Sequence, residues 1–201
     1  DYLAQDARVD LINLSLASDL PSEILRDALI DARDQGTLPI AAAGNAGVAS
    51  PAFPAAFPEA PAVAALGQLG QIPADALSAD NHPRFLDRYG VGGWFLARFS
   101  NYGGWPSWGS AVAVAAPGVG IVSTVPDVDD RKESFAARSG TSMATPMTCG
   151  ALATRLAADG DYRKLSRGRH RADRAEAILR AATLPIGTWP FFVGCGLPRA
   201  A

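Results

Sequence analysis

The chain has 201 residues, 48% of them hydrophobic, and a mean hydropathy of +0.07, enough to bury a full core; its length favours one domain. A formal net charge of -2 and a pI of 5.6 argue against nucleic acid and anionic membrane as partners. No apolar run is long enough to cross a bilayer, and Asp1-Tyr2-Leu3-Ala4-Gln5-Asp6 does not read as a signal peptide. Two cysteines, Cys149 and Cys195, are too few for a disulfide framework, and whether they pair is open.

The first strong signal is Val9-Asp10-Leu11-Ile12-Asn13-Leu14-Ser15-Leu16, a β-prone apolar run typical of a strand covered on both faces. Pro21 and Ser22 then introduce a helix-period stripe of Ile24, Leu25, Ala28, Leu29 and Ala32, which stops at Gln35-Gly36. A second apolar run, Leu38-Pro39-Ile40-Ala41-Ala42-Ala43, breaks at Gly44-Asn45-Ala46-Gly47. Strand, helix and strand in this order predict a right-handed crossover in a parallel sheet, hence an α/β fold. Ligands in such sheets bind beyond the carboxyl ends of the strands, where Ser15-Leu16-Ala17 and Gly44-Asn45 fall.

A Pro-punctuated loop, residues 50–58, leads into a third strand at Ala62-Val63-Ala64-Ala65-Leu66-Gly67. Residues 69–98 are polar and glycine-rich and read as an inserted surface loop, with His82 in Asn-His-Pro as an ordinary loop histidine. Val112-Ala113-Val114-Ala115-Ala116 is a strand halted by Pro117-Gly118, and Ile121-Val122-Ser123-Thr124 continues the sheet pattern. Trp94, Trp105 and Trp108 read as aromatic cover for a glycine-rich loop, and Asp127, Asp129 and Asp130 as a solvated one.

Next comes Arg138-Ser139-Gly140-Thr141-Ser142-Met143-Ala144-Thr145-Pro146, a tight turn opening a helix predicted to run to Ala158, with Pro146 in its first turn. A serine there is exposed at the positive end of the helix dipole, good ground for a nucleophile. The basic cluster of Arg163, Lys164, Arg167, Arg169, Arg171 and Arg174 reads as a solvated face, and His170 within it as a surface histidine. A last amphipathic helix spans Ala172 to Ala182.

The phrases Gly140-Thr141-Ser142-Met143-Ala144-Thr145-Pro146 and Ala41-Ala42-Ala43-Gly44-Asn45-Ala46-Gly47 resemble those of the subtilisin-like serine proteases, the subtilases. Phe99-Ser100-Asn101-Tyr102-Gly103 and Ala115-Ala116-Pro117-Gly118 support the resemblance, and Gly194-Cys195-Gly196-Leu197 is similar to the family's closing strand. It implies a three-layer, doubly wound, mostly parallel sheet and a serine endopeptidase. Ser142 would be the nucleophile and Asn45 the oxyanion-hole amide. Ser15, Leu16 and Ala17, with Ala42, Ala43, Gly44 and Thr141, would bind the substrate backbone. Ala52 stands where the family usually has glycine, and its methyl is expected to narrow the primary specificity pocket.

The family's Asp and His-Gly-Thr phrases precede the segment beginning near Val9 and are not found in these 201 residues. Residues 1–201 are therefore expected to be a partial subtilisin-like peptidase domain, incomplete at its N-terminal side and inactive alone. Its partners would be a peptide or protein substrate and the missing N-terminal half of the same domain. No cofactor and no metal ligand can be assigned, although the resemblance makes calcium a possible ligand, and it implies a secreted or extracytoplasmic protein. The alternative is a non-catalytic peptide-binding module using the same groove.

Overall fold

The protein is described here by a computed structural model covering residues 2–72, 90–105, 110–126 and 134–201. His82, Trp108, the polar stretch 73–89 and the acidic residues Asp127, Asp129 and Asp130 lie outside the described residues.

After a short α1 (Tyr2–Gln5) the chain enters β1 (Leu11–Leu14). Ser22 caps α2 (Glu23–Asp34) by accepting a hydrogen bond from the Leu25 amide at 3.3 Å. Leu29 and Ala32 of the expected stripe are buried, but Ile24 is 86% exposed. Ile24 lies five positions before Leu29, a rotation that turns it off the buried face. Arg33 is buried instead: its guanidinium donates to Asp173 at 2.6 Å, Glu176 at 2.8 Å and the Glu59 carbonyl at 3.1 Å.

The main sheet is built from β1, β2 (Leu38–Ala42), β3 (Ala62–Gln68), β4 (Trp94–Leu96), β5 (Gly104–Trp105) and β6 (Ser110–Pro117). Strands β1, β2, β3 and β6 run parallel in that spatial order, while β4 pairs antiparallel with β3 and β5 with β6. Among the described residues β1 has a strand neighbour on one side only.

All five residues of β2 are buried because both faces of the sheet are covered. On one face Ile40, Val63, Ala65 and Val114 pack against α3 (Thr141–Ala158) and α5 (Arg169–Ala181). On the other, Ala41, Ala62, Ala64 and Leu66 meet Leu29, Phe57 and Phe192, the last from α6 (Pro190–Val193). A register shift between β3 and β6 at Ala62/Val63 puts Val112 and Ala115 together on that second face. The result is the three-layer α/β architecture.

Besides Ile24, three expectations need correction. The end of the 69–98 stretch is not loop, since Trp94–Leu96 is β4 of the main sheet. Ile121–Thr124 forms β7, which pairs with β8 (Phe135–Arg138) in a separate two-stranded ribbon instead of extending the sheet. Gly120, at φ +67, turns the chain away directly after β6. The basic cluster is not uniformly solvated either. Arg167, in the link between α4 (Gly160–Lys164) and α5, and Arg171, in the first turn of α5, point inward to Asp10, at 3.0 and 2.8 Å. Arg171 also stacks over the Tyr162 ring at 4.2 Å, so the pair fastens the C-terminal helices to the start of β1.

Residues 183–184 form β9, which pairs antiparallel with β10 (Leu197–Pro198). Just before β10, the Cys195 amide donates to Ala113 and the Ala115 amide to Gly196, holding this segment against β6. Both cysteines are free. Burial pushes the Cys149 thiol up to about 11, which keeps it unreactive at neutral pH.

Candidate active site

Because β1 and β2 are parallel, with Leu14 opposite Ala41, their carboxyl ends finish side by side. Ser15, Leu16 and Ala17 leave β1 there, and Ala43 and Gly44 leave β2. The amino end of α3 meets the same edge of the sheet. Gly140, its N-cap residue, donates its N–H to the Gly118 carbonyl at 2.8 Å. Gly118 allows this close approach: a Cβ on it would lie 2.8 Å from both the Ala65 side chain and the Gly140 carbonyl.

Ser142 is the second residue of α3 and is half-buried. Its hydroxyl donates to the Ser15 carbonyl at 3.3 Å, and the Ser15 hydroxyl donates back to the Ser142 carbonyl at 2.8 Å. Pro146 explains the second bond. In a regular helix the amide four residues on would satisfy the Ser142 carbonyl, but proline has no N–H to give. Ser15, just past the end of β1, replaces it.

Asn45 stands beside the same turn. Its side-chain oxygen accepts from the Thr141 amide and from the Thr141 hydroxyl, each at 2.9 Å. With the oxygen held twice, the side-chain NH2 must face the other way, and it lies 3.7 Å from where a Cβ on Gly140 would be. Neither that nitrogen nor the Ser142 amide makes a hydrogen bond among the described residues. Two unspent donors thus flank one serine hydroxyl at a helix amino terminus, a pattern suited to a carbonyl oxygen acquiring negative charge.

The remaining residues named from the sequence divide by what their backbones do. Ala43 donates to Val63 and accepts from Ala52, and Gly44 donates to the Thr141 hydroxyl and accepts from Asn101. Ala42 is buried within β2. These three form a wall. Leu16 and Ala17 are exposed and make no backbone hydrogen bond among the described residues, which leaves an extended edge open. The Ala52 methyl lies 3.0 Å from where a Cβ on Gly44 would be, so it closes the space beside the wall.

Among the described residues no histidine is bonded to Ser142. His170 of α5 pairs with Ser166, in the preceding link, at 3.3 Å. Among the described residues no group of three or more His, Cys, Asp or Glu side chains is placed to hold a metal ion. A cavity of about 660 Å³ lined by Phe57, Pro61, Val112, Arg180, Phe191 and Cys195 contains none of the site residues. Its one charged lining group, Arg180, is paired with Glu176 at 2.8 Å.

A serine hydroxyl at a helix amino terminus and a side-chain amide thus converge at the carboxyl edge of a parallel sheet in a three-layer α/β protein. The chain belongs to the subtilase family: the family model described as "Subtilase family" matches residues 2–196. It is 35% identical over 189 residues to the "Thermophilic serine proteinase" of Bacillus sp. (strain AK1), covering 94% of this chain and 36% of that protein. It is 36% identical over 141 residues to "Subtilisin BL" of Lederbergia lenta, covering 70% of this chain and 39% of the relative. The fold is similar to that of "Sphericase", with a TM-score of 0.70 at 24% identity over 95% of this chain and 57% of the other. The chain thus spans well under half the length of these two sequence relatives.

Proposed function

We propose that this chain carries the nucleophile and the oxyanion-binding half of a serine endopeptidase site. Ser142 attacks the scissile carbonyl, and the Asn45 side-chain amide with the Ser142 N–H stabilises the oxyanion. The observation that carries the reading is the pair of hydrogen bonds that Thr141 donates to the Asn45 side-chain oxygen, which aims the amide donor. An extended peptide pairs along Leu16 and Ala17, and the Ala52 methyl restricts the adjoining pocket to small or medium apolar side chains. An extracytoplasmic setting belongs to the same proposal.

A serine hydroxyl needs a base to be an efficient nucleophile, and Ser142 donates its proton to a main-chain carbonyl. We therefore expect the 201-residue chain alone to turn peptides over at near-background rates. That same bond favours a second reading, a peptide-binding module that uses the groove without chemistry. Fusing the chain behind a segment carrying the family's Asp and His-Gly-Thr phrases separates the two. Peptide hydrolysis that Ser142→Ala abolishes supports the peptidase. A fused protein that binds peptide without cleaving it supports the module.

A further inference from the structure

The loop that presents Asn45 is held from below by one segment, residues 98–102. Gly47 donates to the Phe99 carbonyl at 2.7 Å, and Tyr102 donates to the Val48 carbonyl at 3.0 Å. Asn101 supplies three more bonds. Its amide donates to the Gly44 carbonyl at 2.9 Å, and its side-chain oxygen accepts from Ala46 at 2.8 Å and from Val48 at 3.4 Å. Asn101 thus grips the chain on both sides of Asn45 without touching Asn45 itself.

This contact explains the glycines that flank Asn45. Gly44 has φ +104, and a Cβ there would lie 2.6 Å from the Asn101 side-chain nitrogen. Gly47 has φ +68, and its Cβ would lie 2.8 Å from the Arg98 carbonyl. Both positions demand glycine for conformation and for space, and the crowding comes from the segment bearing Asn101.

Asn101 is itself rigidly placed. It is 3% exposed, and the preceding Ser100 is fully buried, accepting from the Ala65 amide and donating to the Asn101 carbonyl, each at 2.9 Å. The loop is thereby tied to β3, the middle of the sheet. Ala46 and Val48 are exposed, so without Asn101 water could satisfy their amides and the loop would keep its hydrogen bonds but lose its fixed position.

We infer that Asn101 is a positioning residue: its side-chain oxygen fixes the 44–48 loop so that the Asn45 amide stays aimed beside Ser142. The consequence for catalysis rests on the peptidase reading above, whereas the clamp does not. The test uses the 15N-labelled 201-residue chain and needs no turnover. Asn101→Leu, which fills similar space without an acceptor, should speed hydrogen exchange at Ala46 and Val48 roughly tenfold, the order that one lost hydrogen bond allows. It should also shift the Asn45 side-chain amide resonances, with exchange at Ala41 in the core unchanged. Asn101→Asp keeps an acceptor and should restore slow exchange.

Unchanged exchange in Asn101→Leu, or equal loss in the Leu and Asp variants, overturns the clamp. If Asn101→Leu does not fold, Asn101→Ser, which removes the reach with less change in shape, is read by the same two amides. In the fused active form, kcat should fall with KM nearly constant. If Asn45→Ala leaves that turnover intact, the oxyanion reading fails while the exchange result stands.

Discussion

Thr141 bonds Asn45 twice through the same oxygen atom, once from its amide and once from its hydroxyl, and that hydroxyl also accepts from Gly44 at 3.2 Å. One side chain, 1% exposed, therefore ties the amino end of α3 to the carboxyl end of β2. The amide group of Asn45 could otherwise flip and present oxygen where a donor is required.

Thr141→Val should release this lock. It removes one donor to Asn45 and the acceptor for Gly44, leaving a buried N–H unsatisfied, at a cost of about 1–3 kcal/mol. In the fused active form kcat should fall at least about tenfold. The upper bound is the roughly hundred- to thousandfold loss measured in a subtilisin when the whole amide donor is removed. Thr141→Ser should recover most of both. Equal kcat in the Val variant would show that the backbone bond suffices.

The Ser15–Ser142 pair gives a test that needs no catalysis. Ser15→Ala deprives the Ser142 carbonyl of its donor and should cost about 1 kcal/mol in urea unfolding. Pro146→Ala restores a helical amide for the same carbonyl, so in that background Ser15→Ala should cost little. Identical losses in both backgrounds would refute the compensation.

Asp10 links stability to pH. Burial opposes its ionisation, but the hydrogen bond and charge of Arg171, with the charge of Arg167, outweigh burial and hold its carboxyl below the ordinary 3.8. A carboxylate depressed in the folded state contributes stability above its unfolded pKa and loses it as pH falls through the folded value. The stability gap between the parent chain and Asp10→Asn should therefore be full at neutral pH and shrink below about pH 4. Urea midpoints at pH 7 and pH 3 measure it, and a gap independent of pH would contradict the assignment.

Ala52→Gly should enlarge the pocket beside Gly44. In the fused active form, kcat/KM for Phe or Tyr relative to Ala should rise roughly tenfold, the order that one methyl group decides in an apolar pocket. A parent form that already prefers Phe or Tyr would place the specificity wall elsewhere.

Much of this was legible in the chain. Apolar runs marked β1, β2, β3 and β6, the turn phrases marked their ends, and the order of strands and helices implied the parallel sheet. Ser142 and Asn45 stood out because each sits in a short glycine-bearing phrase that resembles one of the subtilase phrases. The inward turn of Arg167 and Arg171 was not visible, since Asp10 lies more than 150 residues away, at separations of 157 and 161. Nor was the burial of Arg33, whose partners Asp173 and Glu176 lie 140 and 143 positions away.

By itself, then, the sequence marked the segments that became β1, β2, β3, β6, α2, α3 and α5, because these follow from residue type and short-range spacing, and its two subtilase-like phrases pointed to Ser142 and Asn45. Only the tertiary structure decided that Ser15 answers for the amide Pro146 lacks, that Thr141 sets the direction of Asn45, and that Asn101 holds its loop. Those bonds join residues 53 to 127 positions apart, and a chain's order does not record distances in space.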